Sequence, residues 1–261
     1  SMNFCFWTQN FEYEDLILFL TSIFLNDAHF FTYENFSNLS YSEFSLKFSP
    51  LFSNDDYLVE RFRILNELFY ITHNVYNKFS EILIVSKYDS QLFLNEITKN
   101  FRNYQDHAVY KGTQVFFYKR AQILTCDLNE SLKLYYDLNK NNIPNFEVDF
   151  FKNFTIKGMS KIELLTSFPD YRVPQVLNSI GILEYSTDLQ RKIDNKEILI
   201  PGSEEEIEIR SSMIYLINKM ANEFKTSLNL LEYEIDWILW QYGEKNLSNL
   251  KNHHRATTIF Y

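Results

Sequence analysis

Apolar positions along this chain recur mostly at spacings of three and four, the pattern of helices with one buried face. They crowd the window Phe11 to Asn26, and between Asp55 and Ser86 the residues Leu58, Phe62, Leu65, Leu68 and Phe69 mark the buried side of a longer helical stretch. Asp89 to Asn100 reads as a shorter helix, followed by a polar turn over Arg102 to Gln105 and a break at Gly112. From Thr113 to Leu138 the run Val-Phe-Phe-Tyr is compatible with a strand, but the length of the segment and the spacing of Leu124, Leu128 and Leu132 favour a helix. Asn139 to Asn145, which contains Pro144, is expected to form a loop that the Phe-rich run up to Phe154 packs down.

Beyond Gly158, Ser160 can cap a short helix with Glu163 at the capping-box position, and that helix should end before Pro169. Pro174 falls near the start of the next helix, where a missing N–H costs little, and Gly181 near its end. Residues 160 to 181 therefore read as helix, tight turn, helix, with Asp170 in the turn. Ser203 to Lys225 opens on acidic residues suited to a helix N-terminus and carries Met213, Ile214, Ile217 and Met220 on one face. A last helix is expected over Leu228 to Tyr242. No internal repeat stands out, so the expected fold class is all-α, a single compact helical domain over residues 3–261.

Composition sharpens this picture. Only 5 Gly and 5 Pro accompany 25 Phe and 18 Tyr, which disfavours turn-rich sandwiches and barrels. A formal net charge of −9 argues against a standing nucleic-acid partner, because such binding draws on clustered Lys and Arg, whereas a small anionic ligand needs only a local basic pocket. Two cysteines, Cys5 and Cys126, make no disulfide framework, and a reducing, cytoplasmic setting is expected. The apolar stretch Leu16 to Leu25 follows Glu12, Glu14 and Asp15 and is too short to span a bilayer, so no membrane association is expected. Oligomeric state is left open.

Several residues can carry chemistry. Asp170 lies between Pro169 and Pro174 on a stiff connection that can aim a carboxylate at a developing oxocarbenium ion, although capping the following helix is the commoner use of such an Asp. Lys119 and Arg120 interrupt an apolar run, and Lys119, Gln122 and Cys126 share a helical face; an inward-facing cation for an anion stands beside two snorkelling side chains. Asp236, within Ile-Asp-Trp-Ile-Leu-Trp, requires a partner if buried: either the N–H edge of a purine-like base or a nearby Arg or Tyr. Glu206 and Arg210, four apart, read as a surface or half-buried ion pair. His253, His254 and Arg255 form a local positive cluster suited to a phosphate or to a solvated tail. Asp106 and His107 invite an acid–base or metal reading, but the histidines at 29, 73, 107, 253 and 254 show no metal-binding spacing. Phosphate-loop, dinucleotide and serine-hydrolase motifs do not occur.

Taken in order, seven strings resemble the queuosine salvage family, the queuosine 5′-phosphate N-glycosidases. They are Asn-Phe-Cys-Phe-Trp at 3–7, Asp-His-Ala-Val-Tyr-Lys-Gly at 106–112, Tyr-Lys-Arg-Ala-Gln-Ile-Leu at 118–124 and Asp-Tyr-Arg-Val-Pro-Gln-Val-Leu at 170–177. Glu-Ile-Glu-Ile-Arg at 206–210, Asp-Trp-Ile-Leu-Trp at 236–240 and His-Arg-Ala-Thr-Thr-Ile-Phe-Tyr at 254–261 continue the series. The resemblance implies a fold like that of the helix-hairpin-helix DNA glycosylases. It also implies metal-free and cofactor-free hydrolysis of queuosine 5′-monophosphate, a small-molecule substrate, to release queuine for salvage into tRNA.

On this reading Asp170 takes the place of the catalytic carboxylate and Lys119 that of an essential site residue, with Phe168, Tyr171 and Arg172 beside the sugar or base. Asp236 would accept from the base edge and Trp240 would stack on the ring, with Asp106 also at the site. Lys119, Arg172, His254 and Arg255 are the cations available to the 5′-phosphate. Family members carry a helical segment ahead of Asn-Phe-Cys-Phe-Trp that this sequence is expected to lack, and the stretch from Leu128 to Phe168 is longer than usual and expected to be a surface insertion. A base-excision glycosylase acting on nucleic acid and a non-catalytic nucleoside-phosphate binder are the alternatives.

Overall fold

A computed structural model describes residues 13–52, 57–139 and 158–261. The loop expected after Asn139, the Phe-rich run, Cys5 and the string at 3–7 lie outside the described residues.

Helices dominate, as the apolar spacing predicts. Helix α1 (Tyr13–Asn26), a 3-10 turn (Ala28–Phe31), α2 (Tyr33–Phe36) and α3 (Tyr41–Phe48) gather around Phe30, Phe36, Phe44, Phe48 and Phe52, with Leu58 and Leu65 of α4 (Leu58–Tyr76) completing the cluster. Ser40 and Glu43 close a reciprocal capping box at the start of α3. The stretch read as one helix from Asp55 to Ser86 is two: Asn77, at φ 66°, separates α4 from α5 (Phe79–Val85). Asp89 caps α6 (Ser90–Asn100) by accepting the N–H groups of Gln91 and Leu92, and α6 packs on α7 (Lys119–Asn139).

Two more elements differ from the sequence expectation. The Val-Phe-Phe-Tyr run does not open a helix: Thr113–Phe116 is strand β2, paired antiparallel with β1 (His107–Tyr110) in the register His107↔Phe116 and Tyr110↔Thr113. The reason is the connection Lys111-Gly112, whose φ values of 47° and 83° form a two-residue turn with the twist a hairpin needs. Helix α7 starts only after Tyr118, whose φ is 49°.

The second difference lies between residues 160 and 181. Ser160 does not cap a helix, because its N–H donates to the Tyr88 carbonyl and its own carbonyl accepts from Ser90 N–H. With Lys161 at φ 58°, only a 3-10 turn (Ile162–Leu164) forms, and the chain runs extended from Leu165. The helix after the turn is present as α8 (Arg172–Ser179).

Helix α9 (Thr187–Asp194), α10 (Glu204–Glu223, capped by Ser203) and α11 (Glu232–Lys245) follow along the described residues. Val173 and Leu177 of α8 bury against Met213 and Ile217 of α10 and Ile235 of α11. Two short strands, β3 (Ile198–Leu199) and β4 (Arg255–Ala256), pair in parallel and fasten the C-terminal segment. Among the described residues no helix is long and apolar enough to cross a membrane.

Candidate active site

Residues Leu165 to Pro169 form an extended, largely buried segment ahead of the bend at Asp170, so their backbone polar groups need partners from elsewhere. Three helices supply them with side chains. Gln122 of α7 accepts the Thr166 N–H at 2.9 Å, Asp236 of α11 accepts the Phe168 N–H at 2.8 Å, and Arg210 of α10 donates Nε–H to the Pro169 carbonyl at 3.0 Å. Each of those three side chains is itself buried. A segment held this way presents the next residue, Asp170, in a fixed direction.

Asp170 is buried and does two things at once. Its Oδ1 accepts the Arg172 N–H at 2.8 Å from one residue ahead of the N-cap Tyr171, close to the capping role that local sequence favours, while its Oδ2 lies 3.3 Å from Lys119 Nζ. Lys119 is the first residue of α7, and both side chains of the pair are about one-tenth exposed. Burial in such surroundings makes the pairing obligatory, since an isolated charge there is costly.

Asp236 is the second carboxylate of the site. Burial and the neighbouring charge of Asp170 push its carboxyl well above the ordinary carboxylate range, and the Phe168 N–H and Lys119 pull it only partly back. Two neighbouring buried acids in different environments are a common arrangement for splitting charge stabilisation from proton handling. The apolar wall beside them is Phe168, packed with Cys126, Leu165 and Tyr233.

The aromatic ring at this wall is Trp237, 6.5 Å from the Phe168 ring and edge-on to Tyr233 at 5.4 Å. Trp240 instead packs against the Val173, Leu177, Met213 and Ile217 cluster. The two tryptophans are three residues apart on α11, and the packing of that helix against both clusters gives them different neighbours.

The remaining candidates have defined places. Arg172 is buried, donating Nε–H to Glu244 at 2.6 Å and Nη1–H to Gln175 at 2.6 Å, with its guanidinium 5.2 Å from the Tyr171 ring. Tyr171 is half-buried and faces His253, ring centres 4.6 Å apart. Gly243 lets α11 approach this arginine: a Cβ there would lie 2.8 Å from Arg172 Cδ and 3.0 Å from Val176 Cγ2.

The positive cluster at 253–255 needs correcting. His254 is fully buried, its Nε2 3.4 Å from the Tyr261 hydroxyl, and burial with His253 and Arg210 nearby pulls its pKa down to about 3. Burial likewise lowers His253 to about 4. Both imidazoles are uncharged near neutrality, so neither supplies a cation for a phosphate, and Arg255, half-buried in β4, is the charged member of the three.

Asp106 turns toward the protein, with Oδ1 and Oδ2 accepting from Arg210 Nη1 and Nη2 at 3.0 and 2.5 Å and Oδ2 also from the Lys119 N–H at 3.2 Å. Nor is the Glu206–Arg210 pair at or near the surface: both are buried, and Arg210 makes its bidentate pair with Asp106. Sequence spacing exposes an i, i+4 pair on one helix but carries no trace of a partner 104 residues away.

The geometry is thus a buried cluster of two carboxylates and an ammonium built on a turn held by three helices, an arrangement suited to stabilising positive charge. The family described as queuosine salvage protein matches the chain over residues 1–261. The queuosine 5′-phosphate N-glycosylase/hydrolase of Dictyostelium discoideum is 33% identical over 267 residues, covering 100% of this chain and 75% of that protein. Proteins of the same description from Sphaerobacter thermophilus and Mus musculus are 32% identical over 206 residues and 30% identical over 213. These two alignments cover 78% and 77% of this chain, which spans 58% and 57% of those relatives' length.

Proposed function

Because this chain belongs to the queuosine salvage protein family, we propose that it hydrolyses the N-glycosidic bond of queuosine 5′-monophosphate and releases queuine for reuse in tRNA. The observation that carries the reading is the buried Asp170–Lys119 pair at 3.3 Å on a turn held by three helices. As the bond from sugar to base lengthens, the anomeric carbon becomes cationic, and a preorganised carboxylate facing it lowers the barrier without having to reorganise. Lys119 holds that carboxylate in place and, as a neighbouring ammonium, also suits the anionic sugar phosphate.

In this reading Asp236 meets the base. A 7-deazaguanine presents N–H donors on its Watson–Crick edge, and a carboxyl enclosed by Phe168 and the α11 backbone discriminates strongly against a base lacking them. Trp237, at the wall beside Phe168, provides the ring surface. Arg172 and Arg255 are the further cations available to the phosphate. The net charge of −9 supports a small-molecule substrate over a standing nucleic-acid partner.

The test is chromatographic detection of free queuine after incubating the purified chain with queuosine 5′-monophosphate, alongside guanosine 5′-monophosphate. Release from the first alone is the expected result. Binding without release marks a non-catalytic binder, and no binding overturns the substrate assignment.

A further inference from the structure

One buried cation lies behind both halves of the site. Arg210 donates Nε–H to the carbonyl of Pro169, the residue before Asp170, and clamps Asp106 through two nitrogens. Asp106 in turn accepts the backbone N–H of Lys119, while its own carbonyl accepts from Phe117 and Tyr118 N–H at 2.9 and 3.1 Å. The N–H of a first helical residue has no partner within its helix, so the Asp106 carboxylate sets where α7, and with it Lys119, begins. Phe117 lies against the guanidinium at 3.9 Å from its ring centre, and the Tyr261 ring lies 5.0 Å away. The planar fork is therefore held in orientation as well as in place.

We propose that Arg210 is a positioning residue for the hydrolysis: it fixes the spacing of Asp170 and Lys119 by holding the backbone ahead of each. The inference rests on the N-glycosidase reading. A burial this complete is a poor way to gain stability alone, since replacing buried ion pairs by apolar groups is often neutral or stabilising. What the guanidinium provides that an apolar residue cannot is three directed donors, to Pro169 and to both oxygens of Asp106. Glu206 takes a longer bond, 3.3 Å, from the Nη1 that also donates to Asp106, and it accepts in turn from the Tyr261 hydroxyl, which touches neither Pro169 nor Asp106.

The decisive comparison is Arg210→Lys, which keeps the charge and loses the fork, against Tyr261→Phe, which keeps the ring and removes the hydroxyl's contacts with Glu206 and His254. Arg210→Lys should lower kcat for queuosine 5′-monophosphate by about 10- to 100-fold with KM changed less than about threefold, as misplacing supported groups does. Tyr261→Phe should stay within about twofold in kcat whatever its melting temperature, because the anchors to Pro169 and Asp106 are intact. Asp106→Asn, isosteric, should show the same kcat-only loss and carries the comparison if Arg210→Lys does not fold. Near-normal kcat in the folded Arg210 or Asp106 variant, or an equal loss in Tyr261→Phe, overturns the proposal.

Failure of the substrate reading is separable, because it appears as an inert wild type. Amide hydrogen exchange then decides: faster exchange at Phe117, Tyr118 and Lys119 in Arg210→Lys but not in Tyr261→Phe supports the clamp, and unchanged exchange in both overturns it.

Discussion

Replacing Asp170 by Asn isolates charge from shape. Asn retains an oxygen for the Arg172 N–H that Asp170 accepts at 2.8 Å, so the turn into α8 keeps this hydrogen bond. What disappears is the negative charge 3.3 Å from Lys119 Nζ. At an effective dielectric of about 20, the lost attraction is 332/(20 × 3.3), about 5 kcal/mol. Desolvation of two side chains that are about one-tenth exposed offsets much of that gain, and removing one member of a buried pair typically costs about 3–5 kcal/mol.

Asp236, already close enough to interact with Lys119, can take over part of the pairing and hold the loss to the lower end. For catalysis, a preorganised group facing developing charge is worth about 2.7–4 kcal/mol, which corresponds to a loss of about 100- to 1,000-fold in kcat. The assay is timed queuine release, with a thermal melt to show folding and calorimetric titration to show that substrate still binds. A folded, substrate-binding Asn variant turning over within about tenfold of wild type would falsify the role assigned to Asp170.

Three further outcomes follow from other parts of the structure. Asp236 holds its proton more tightly folded than unfolded, so the folded state binds more protons above the unfolded value of about 3.9 and stability declines as pH rises from there toward the folded pKa. Asp236→Asn should flatten that decline in urea titrations across pH, and parallel curves for the two proteins would contradict the assignment. His254 behaves oppositely: with its pKa lowered from 6.5 to about 3, the unfolded chain binds the extra proton and stability is lost as pH falls through that window. His254→Phe should reduce the acid-side slope by up to a few kcal/mol over the window, checked by denaturation at several acid pH values, and an unchanged slope argues against a buried neutral imidazole. Gly243→Ala should destabilise by about 1–3 kcal/mol, because its Cβ meets Arg172 and Val176 at 2.8 and 3.0 Å, and an unchanged melting temperature would show that α11 moves aside freely.

Local order was legible in the sequence. Spacing of apolar residues located α1, α6, α10 and α11 to within a few residues, and Asp89 and Ser203 cap where a short polar side chain precedes an apolar face. Motif strings singled out Asp170, Lys119 and Asp236, which the fold brings into electrostatic contact.

Whatever depended on a partner distant in the chain was decided by tertiary structure. Val115 and Phe116 became strand because a Lys-Gly turn folds His107–Tyr110 back on them, and Leu165 to Pro169 stayed extended because Gln122, Asp236 and Arg210 take up its backbone groups. The same holds for charge: His254 and His253 lie next to Arg255 in sequence as a cationic patch, yet burial leaves the two imidazoles neutral. Periodicity reports which face of an element is apolar, whereas the partner that a polar side chain finds, and therefore its ionisation, is set only when elements far apart in sequence meet in a low-dielectric interior.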